Sequence, residues 1–178
     1  KFDAHYQYAW AAYWWFEDIG LFNEHFQACF CSAKEIGQSN KWGDVVTLLG
    51  LYTSHYRNMG IENPSDLESI ISETKNELDS LTQKKERPSN SLMSKSYIEL
   101  LNLQLLQNVE QASDIFDSLL SIAKEGEKLI GFSFEEIYNI VTELDFIFGN
   151  LDSYEKLLDY FTEHETSRYG EVRGALIW

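Results

Sequence analysis

The stretch Ala9 to Gly37, AWAAYWWFEDIGLFNEHFQACFCSAKEIG, constrains this chain more than any other because it sets large rings among small side chains at helical spacing. Tyr6, Trp10, Tyr13, Trp14 and Glu17 recur three and four residues apart on one helical face. Ala9, Ala11 and Ala12 leave room between the rings for a second helix to approach closely. Gly20 is expected to end that helix as a left-handed cap. Phe22, Phe26, Ala28, Cys29 and Ala33 restart the period within a few residues, which favours an antiparallel neighbour. The stretch reads as a helical hairpin.

The rest of the chain continues the rhythm. Val45, Val46, Leu48, Leu49, Tyr52 and Tyr56 predict a third helix from about Trp42 to Tyr56, with Gly60 as its stop. Asn63 as cap, Pro64 at the first helical position and Asp66 near the positive end open a fourth, which runs to Lys84. Residues 85–96, KERPSNSLMSKS, show little periodicity and much serine, and read as a mobile loop. Ile98 to Val109 is apolar around much of its circumference, and Ser113 to Leu129 forms the next helix, closed by Gly131. Ser133 with Glu136 makes a capping box, and Phe132 with Ile137 a hydrophobic staple, at the start of one helix through Phe148. Gly149-Asn150 stops it, Asp152 with Glu155 repeats the box, and a last helix is expected from about Arg168 through Val172, Leu176 and Trp178. The count is about nine helices with no strand pattern, read as one domain over 1–178.

The opening hairpin resembles the tetratricopeptide and related helical-repeat families. The resemblance rests on Ala12 or Tyr13, Phe16, Gly20, Phe22, Cys29 and Ser32, which fall on that pattern's small, aromatic and turn positions. It implies an all-α fold of antiparallel helix pairs stacked as an α-solenoid, and a concave surface that binds a protein or peptide. Helices apolar on two sides suit such stacking, since each pair must meet both its partner and its neighbour.

Composition narrows the function. A net charge of −15, with 9 of those negative charges in residues 111–178, disfavours nucleic acid and anionic membranes as partners. No apolar run is long enough for a membrane span. Cys29 and Cys31 point to different sides of a helix and read as buried free thiols in a reducing, cytoplasmic setting. His5, His25, His55 and His164 are scattered, without metal-ligand spacing, and no nucleotide-binding or serine-hydrolase motif is present. Neither a cofactor nor an enzymatic activity is expected. The start at Lys1 and the apolar ending Ala175 to Trp178 read as an excised piece whose flanking domains also bear on function.

The stripe of Trp10, Trp14, Trp15, Phe16, Phe22, Phe26 and Phe30 has the spacing of core. Trp14 and Trp15 are adjacent, so at least one faces a surface. Trp14, Trp15, Trp42 and Tyr52 are the candidate partner-binding residues, as large rings on a repeat surface. A protein- or peptide-binding scaffold is the first reading. A ligand-sensing regulatory domain and a metal- or carboxylate-dependent helical enzyme are the alternatives.

Overall fold

The computed structural model describes residues 1–60, 62, 64–84, 86–106, 109–142 and 144–169. Among them every regular element is helical: α1 (Phe2–Trp14), α2 (Ile19–Ile36), α3 (Ser39–Asn58), α4 (Ser65–Thr82), α5 (Pro88–Leu105), α6 (Ala112–Gly126), α7 (Phe134–Thr142), α8 (Asp145–Phe148) and α9 (Asp152–Tyr169), with a 3-10 turn at Val109–Gln111. Eight of these are helices of nine residues or more and α8 is a single turn, against the nine or so expected. The difference lies at the C-terminal end. Arg168 does not open a new helix but continues α9, and Val172, Leu176 and Trp178 lie outside the described residues, as does Asn63.

Three further expectations are corrected. Gly20 does not end α1; it sits in the first turn of α2. The turn is made earlier, where Glu17 takes a left-handed φ of 50° and Asp18 Oδ1 accepts the Leu21 N–H at 2.9 Å. An aspartate cap fixes the start of α2 before the glycine is reached. Most of the segment read as a loop is the first half of α5, with Leu92, Met93, Ser94 and Ser96 buried. Pro88 suits a first helical turn, where its missing N–H is not needed. The serines that suggested a loop bond back along the helix, Ser94 to Asn90 O and Ser96 to Leu92 O, and so bury their hydroxyls without loss. The helix expected through Phe148 breaks after Thr142, whose hydroxyl donates to the Tyr138 and Asn139 carbonyls while the Leu144 N–H reaches only to Val141 O. A bond from an N–H to the carbonyl three residues back is common at the end of an α-helix.

The contacts define directions. Tyr13 lies against Phe22, and the Phe2 carbonyl accepts from the Cys29 thiol, so α1 and α2 run antiparallel. Phe30 meets Trp42 while Phe22 and Phe26 meet Tyr52, so α2 and α3 are also antiparallel. Two pairs that are not consecutive in the chain run parallel, α3 with α5 and α6 with α9. Gly43 and Gly50 of α3 face Tyr97 and Gln104 of α5 in the same order, and Phe116 and Glu127, at the start and just past the end of α6, meet Tyr154 and Tyr160 of α9. Helix α3 packs on α1, α2, α4 and α5, and α5 on α3, α4, α6 and α7. The core therefore runs as one cluster from Phe2 to Phe161, and each fully buried Phe in it is worth about 1.5–3 kcal/mol of transfer free energy.

Candidate functional site

Helix α3 carries the floor of a groove. Gly43, Thr47, Gly50, Leu51 and Ser54 recur along one of its faces, and their mostly small side chains leave the space that larger ones would fill. At one end a cavity of about 610 Å³ is lined by Tyr6 and Trp10 of α1, by Asn40, Lys41, Gly43, Asp44 and Thr47 of α3, by Tyr97 of α5, and by Glu136, Asn139, Ile140 and Thr142 of α7. At the other, a cavity of about 410 Å³ is lined by Trp10, Tyr13 and Trp14 of α1, by α3 from Thr47 to Asn58, by Leu103 and Gln104 of α5, and by Leu144 and Ile147 beyond α7. Trp10 and Thr47 border both, so the two cavities adjoin along α3.

The ends differ in charge. Lys41 Nζ lies 2.6 Å from Asp3 Oδ1 and 3.4 Å from Asp44 Oδ2. Burial drives the Asp44 carboxyl above the usual carboxylate range; the Lys41 charge and hydrogen bond oppose the shift, and the Glu136 and Asp3 charges add to it. For Lys41 burial works downward, but the Asp3 hydrogen bond and the two carboxylates outweigh it and the ammonium is held more firmly. Tyr97, fully buried, donates its hydroxyl to Glu136 Oε2. Burial first, then the charge and hydrogen bond of Glu136, raise its pKa well above the ordinary phenol value. This end thus sets two carboxylates of the lining against one ammonium. The far end carries the Arg57 guanidinium, which donates to Gln104 O at 2.7 Å. Between them the indole Nε1 of Trp10 is buried without a hydrogen-bond partner, although buried donors are ordinarily paired.

The four candidate aromatics separate. Trp14 is 56% exposed and lines the groove. Trp15, 83% exposed, stands outside it beside an exposed Phe16. Trp42 and Tyr52 are buried and are not available to a partner. Trp42 packs edge-on to Phe30, and Tyr52 fills the gap between Phe22 and Phe26, because the α3 face that carries them is the one turned to α2. Cys29 is buried as expected, its thiol pushed up to about 12 first by burial and then by the Asp44 charge, whereas Cys31 is exposed, contrary to expectation. Asp44, Glu136 and Tyr97 escaped the sequence reading. The stripe Gly43, Thr47, Gly50 and Ser54, spaced three and four apart along α3, was the signal that could have found them.

No helix among the described residues is long and apolar enough to cross a membrane. Compared with family models, curated proteins and solved structures, the chain finds no match in any of the three.

Proposed function

We propose that the chain is a peptide-binding helical-repeat module, built of pairs α1/α2, α3/α4, α5/α6 and α7/α9, whose groove is the concave face of a tetratricopeptide-like stack. One observation carries this reading: among the described residues the two adjoining cavities are lined by α1, α3, α5 and α7 and the stretch that follows α7, and not by α2, α4, α6 or α9. An array of pairs in which every second helix is parallel puts one helix of each pair on the inner surface. The bound segment is extended. Asp44 and Arg57 are thirteen positions apart on α3, a rise of roughly 20 Å, which about six extended residues span. A lysine or arginine of the peptide sits at the Asp44 and Glu136 end, and an apolar side chain lies against Trp10, Trp14 and Leu51.

Selection from a display library of randomised extended peptides tests the proposal, with counter-selection against the double variant Asp44→Asn/Glu136→Gln. Recovered peptides are expected to share a basic residue followed by an apolar one and to bind the double variant about tenfold or more weaker, as for loss of a charged contact. Recovery of no binder, or of binders indifferent to the double substitution, overturns it.

A further inference from the structure

Two side chains that line the cavity of about 410 Å³ each carry a polar atom with no hydrogen-bond partner among the described residues. One atom is the donor Nε1 of Trp10 on α1, the other the acceptor Oε1 of Gln104 on α5. Gln104 is only 8% exposed. Its side-chain amide lies across Gly50 of α3, where a β-carbon would stand 2.5 Å from Nε2, and the Arg57 guanidinium donates to its main-chain O at 2.7 Å. Helices α1 and α5 both pack on α3, so the donor comes from one wall of the groove and the acceptor from another. Buried polar atoms are ordinarily paired, and an orphan donor with an orphan acceptor in one cavity suits a ligand group that presents both an acceptor and a donor.

We propose that Trp10 and Gln104 hold one main-chain amide of the bound segment, its C=O accepting from Trp10 Nε1 and its N–H donating to Gln104 Oε1. This contact rests on the peptide-binding function proposed above and specifies which part of the ligand is gripped beside Trp10. In a trans peptide unit the C=O and the N–H point to opposite sides of the chain. A segment extended along α3 therefore turns its acceptor to one side and its donor to the other, as a donor on α1 and an acceptor on α5 require. An ester lacks the N–H and a carboxylate carries acceptors only, so neither satisfies Gln104. Both orphan atoms are screened from water in the empty groove, and binding turns the flexible Gln104 side chain toward the ligand. Every residue but proline carries the same amide, so the contact fixes the register of the segment, excludes proline at that position, and leaves the choice of side chains to the acidic end and to the rings.

Two small probes test this on the full chain: N-methyl-4-methylpentanamide, which joins one trans amide to an apolar tail, and methyl 4-methylpentanoate, in which an oxygen replaces the N–H. ¹H–¹⁵N spectra follow the Trp10 indole N–H as each is added. The amide is expected to shift that signal, and the ester to bind about tenfold or more weaker, as for a buried acceptor left unpaired. In Gln104→Met, which keeps the length of the side chain and removes its acceptor, the two probes should bind alike; the comparison of probes on the wild type does not depend on that variant folding. A Trp10 signal unmoved at tens of millimolar amide, equal binding of the ester by the wild type, or a preference for the amide that persists in Gln104→Met each overturns the assignment. Display peptides recovered while the Trp10 signal stays unmoved would overturn this contact and leave peptide binding standing. Amide binding at Trp10 with no peptide recovered would uphold the contact and overturn the peptide.

Discussion

The ring of Tyr97 on α5 lies against the α-carbon of Gly43 on α3, so closely that a β-carbon at position 43 would stand 2.4 Å from Tyr97 Cζ. Two turns along, Gln104 covers Gly50 in the same way. These two contacts bring the parallel helices α3 and α5 together, and they place the Tyr97 hydroxyl at the groove beside Glu136.

Gly43→Ala follows directly. In a helix interior the exchange alone would add about 1 kcal/mol of stability, but a buried ring that cannot move aside reverses the sign. A net loss of about 1–3 kcal/mol is expected, the range for overpacking, and chemical denaturation measures it. A stabilised Gly43→Ala protein would show that α3 and α5 are not in this contact.

Tyr97→Phe keeps the ring and removes the hydroxyl that donates to the exposed Glu136 carboxylate. A stability loss of about 1 kcal/mol is expected, the scale of one intramolecular hydrogen bond, together with altered peptide preference at the acidic end. A loss of several kcal/mol would mean that the hydroxyl supports the core and not the groove.

Asp44 gives a prediction with a definite sign. Its folded-state pKa is raised chiefly by burial, so the stabilisation from its protonated form is complete below the unfolded value and is lost as pH rises through the folded one. Asp44→Asn is therefore expected to melt higher than the wild type at neutral pH, with the gap closing as pH falls to about 4, the ordinary carboxylate range. Lys41 keeps Asp3 as its partner in that variant. The same substitution should weaken binding of a cationic peptide, so that stability and binding move in opposite directions. A variant that melts lower at neutral pH would place Asp44 among the structural ion pairs.

Trp10 and Trp15 should respond unequally to truncation. Trp10 is half-buried and packs edge-on to Tyr6 and over Trp14, and Trp10→Ala is expected to cost about 2 kcal/mol, below the 3–5 kcal/mol of a fully buried ring. Trp15, largely in solvent, should cost under about 0.5 kcal/mol. Side-by-side thermal melts decide, and a larger loss for Trp15→Ala would reverse the inner and outer faces of the hairpin.

How far the sequence could be read depended on what kind of signal each residue gave. Helical period and the rings of the hairpin were legible because apolar spacing reports burial on a single element, and Phe22, Phe26 and Phe30 are core. The Ser133 cap was legible for the same local reason, and its hydroxyl does accept the Glu136 N–H at 3.3 Å, though the Glu136 side chain turns to Tyr97 and not back to the cap. Residues 88–96 were misread because serine promotes loops when exposed but packs tightly in a helix when its hydroxyl finds the carbonyl four residues back. Apart from the antiparallel α1/α2 hairpin, contacts between elements were not legible. Nothing in the spacing of His5 and His25, or of Asp44, Tyr97 and Glu136, says that the fold makes neighbours of them. Trp42 and Tyr52 were misassigned because a tryptophan or tyrosine suits a binding surface and a helix interface equally well, and only the direction of the α3 face distinguishes the two.

Amide chemical-shift mapping with a selected peptide tests the proposed binding along α1, α3, α5 and α7. Perturbed amides are expected on α1, α3, α5 and α7, concentrated near Trp10, Asp44, Thr47 and Glu136, with α2, α4 and α6 unmoved. Perturbations concentrated on α2, α4 or α6 would contradict it.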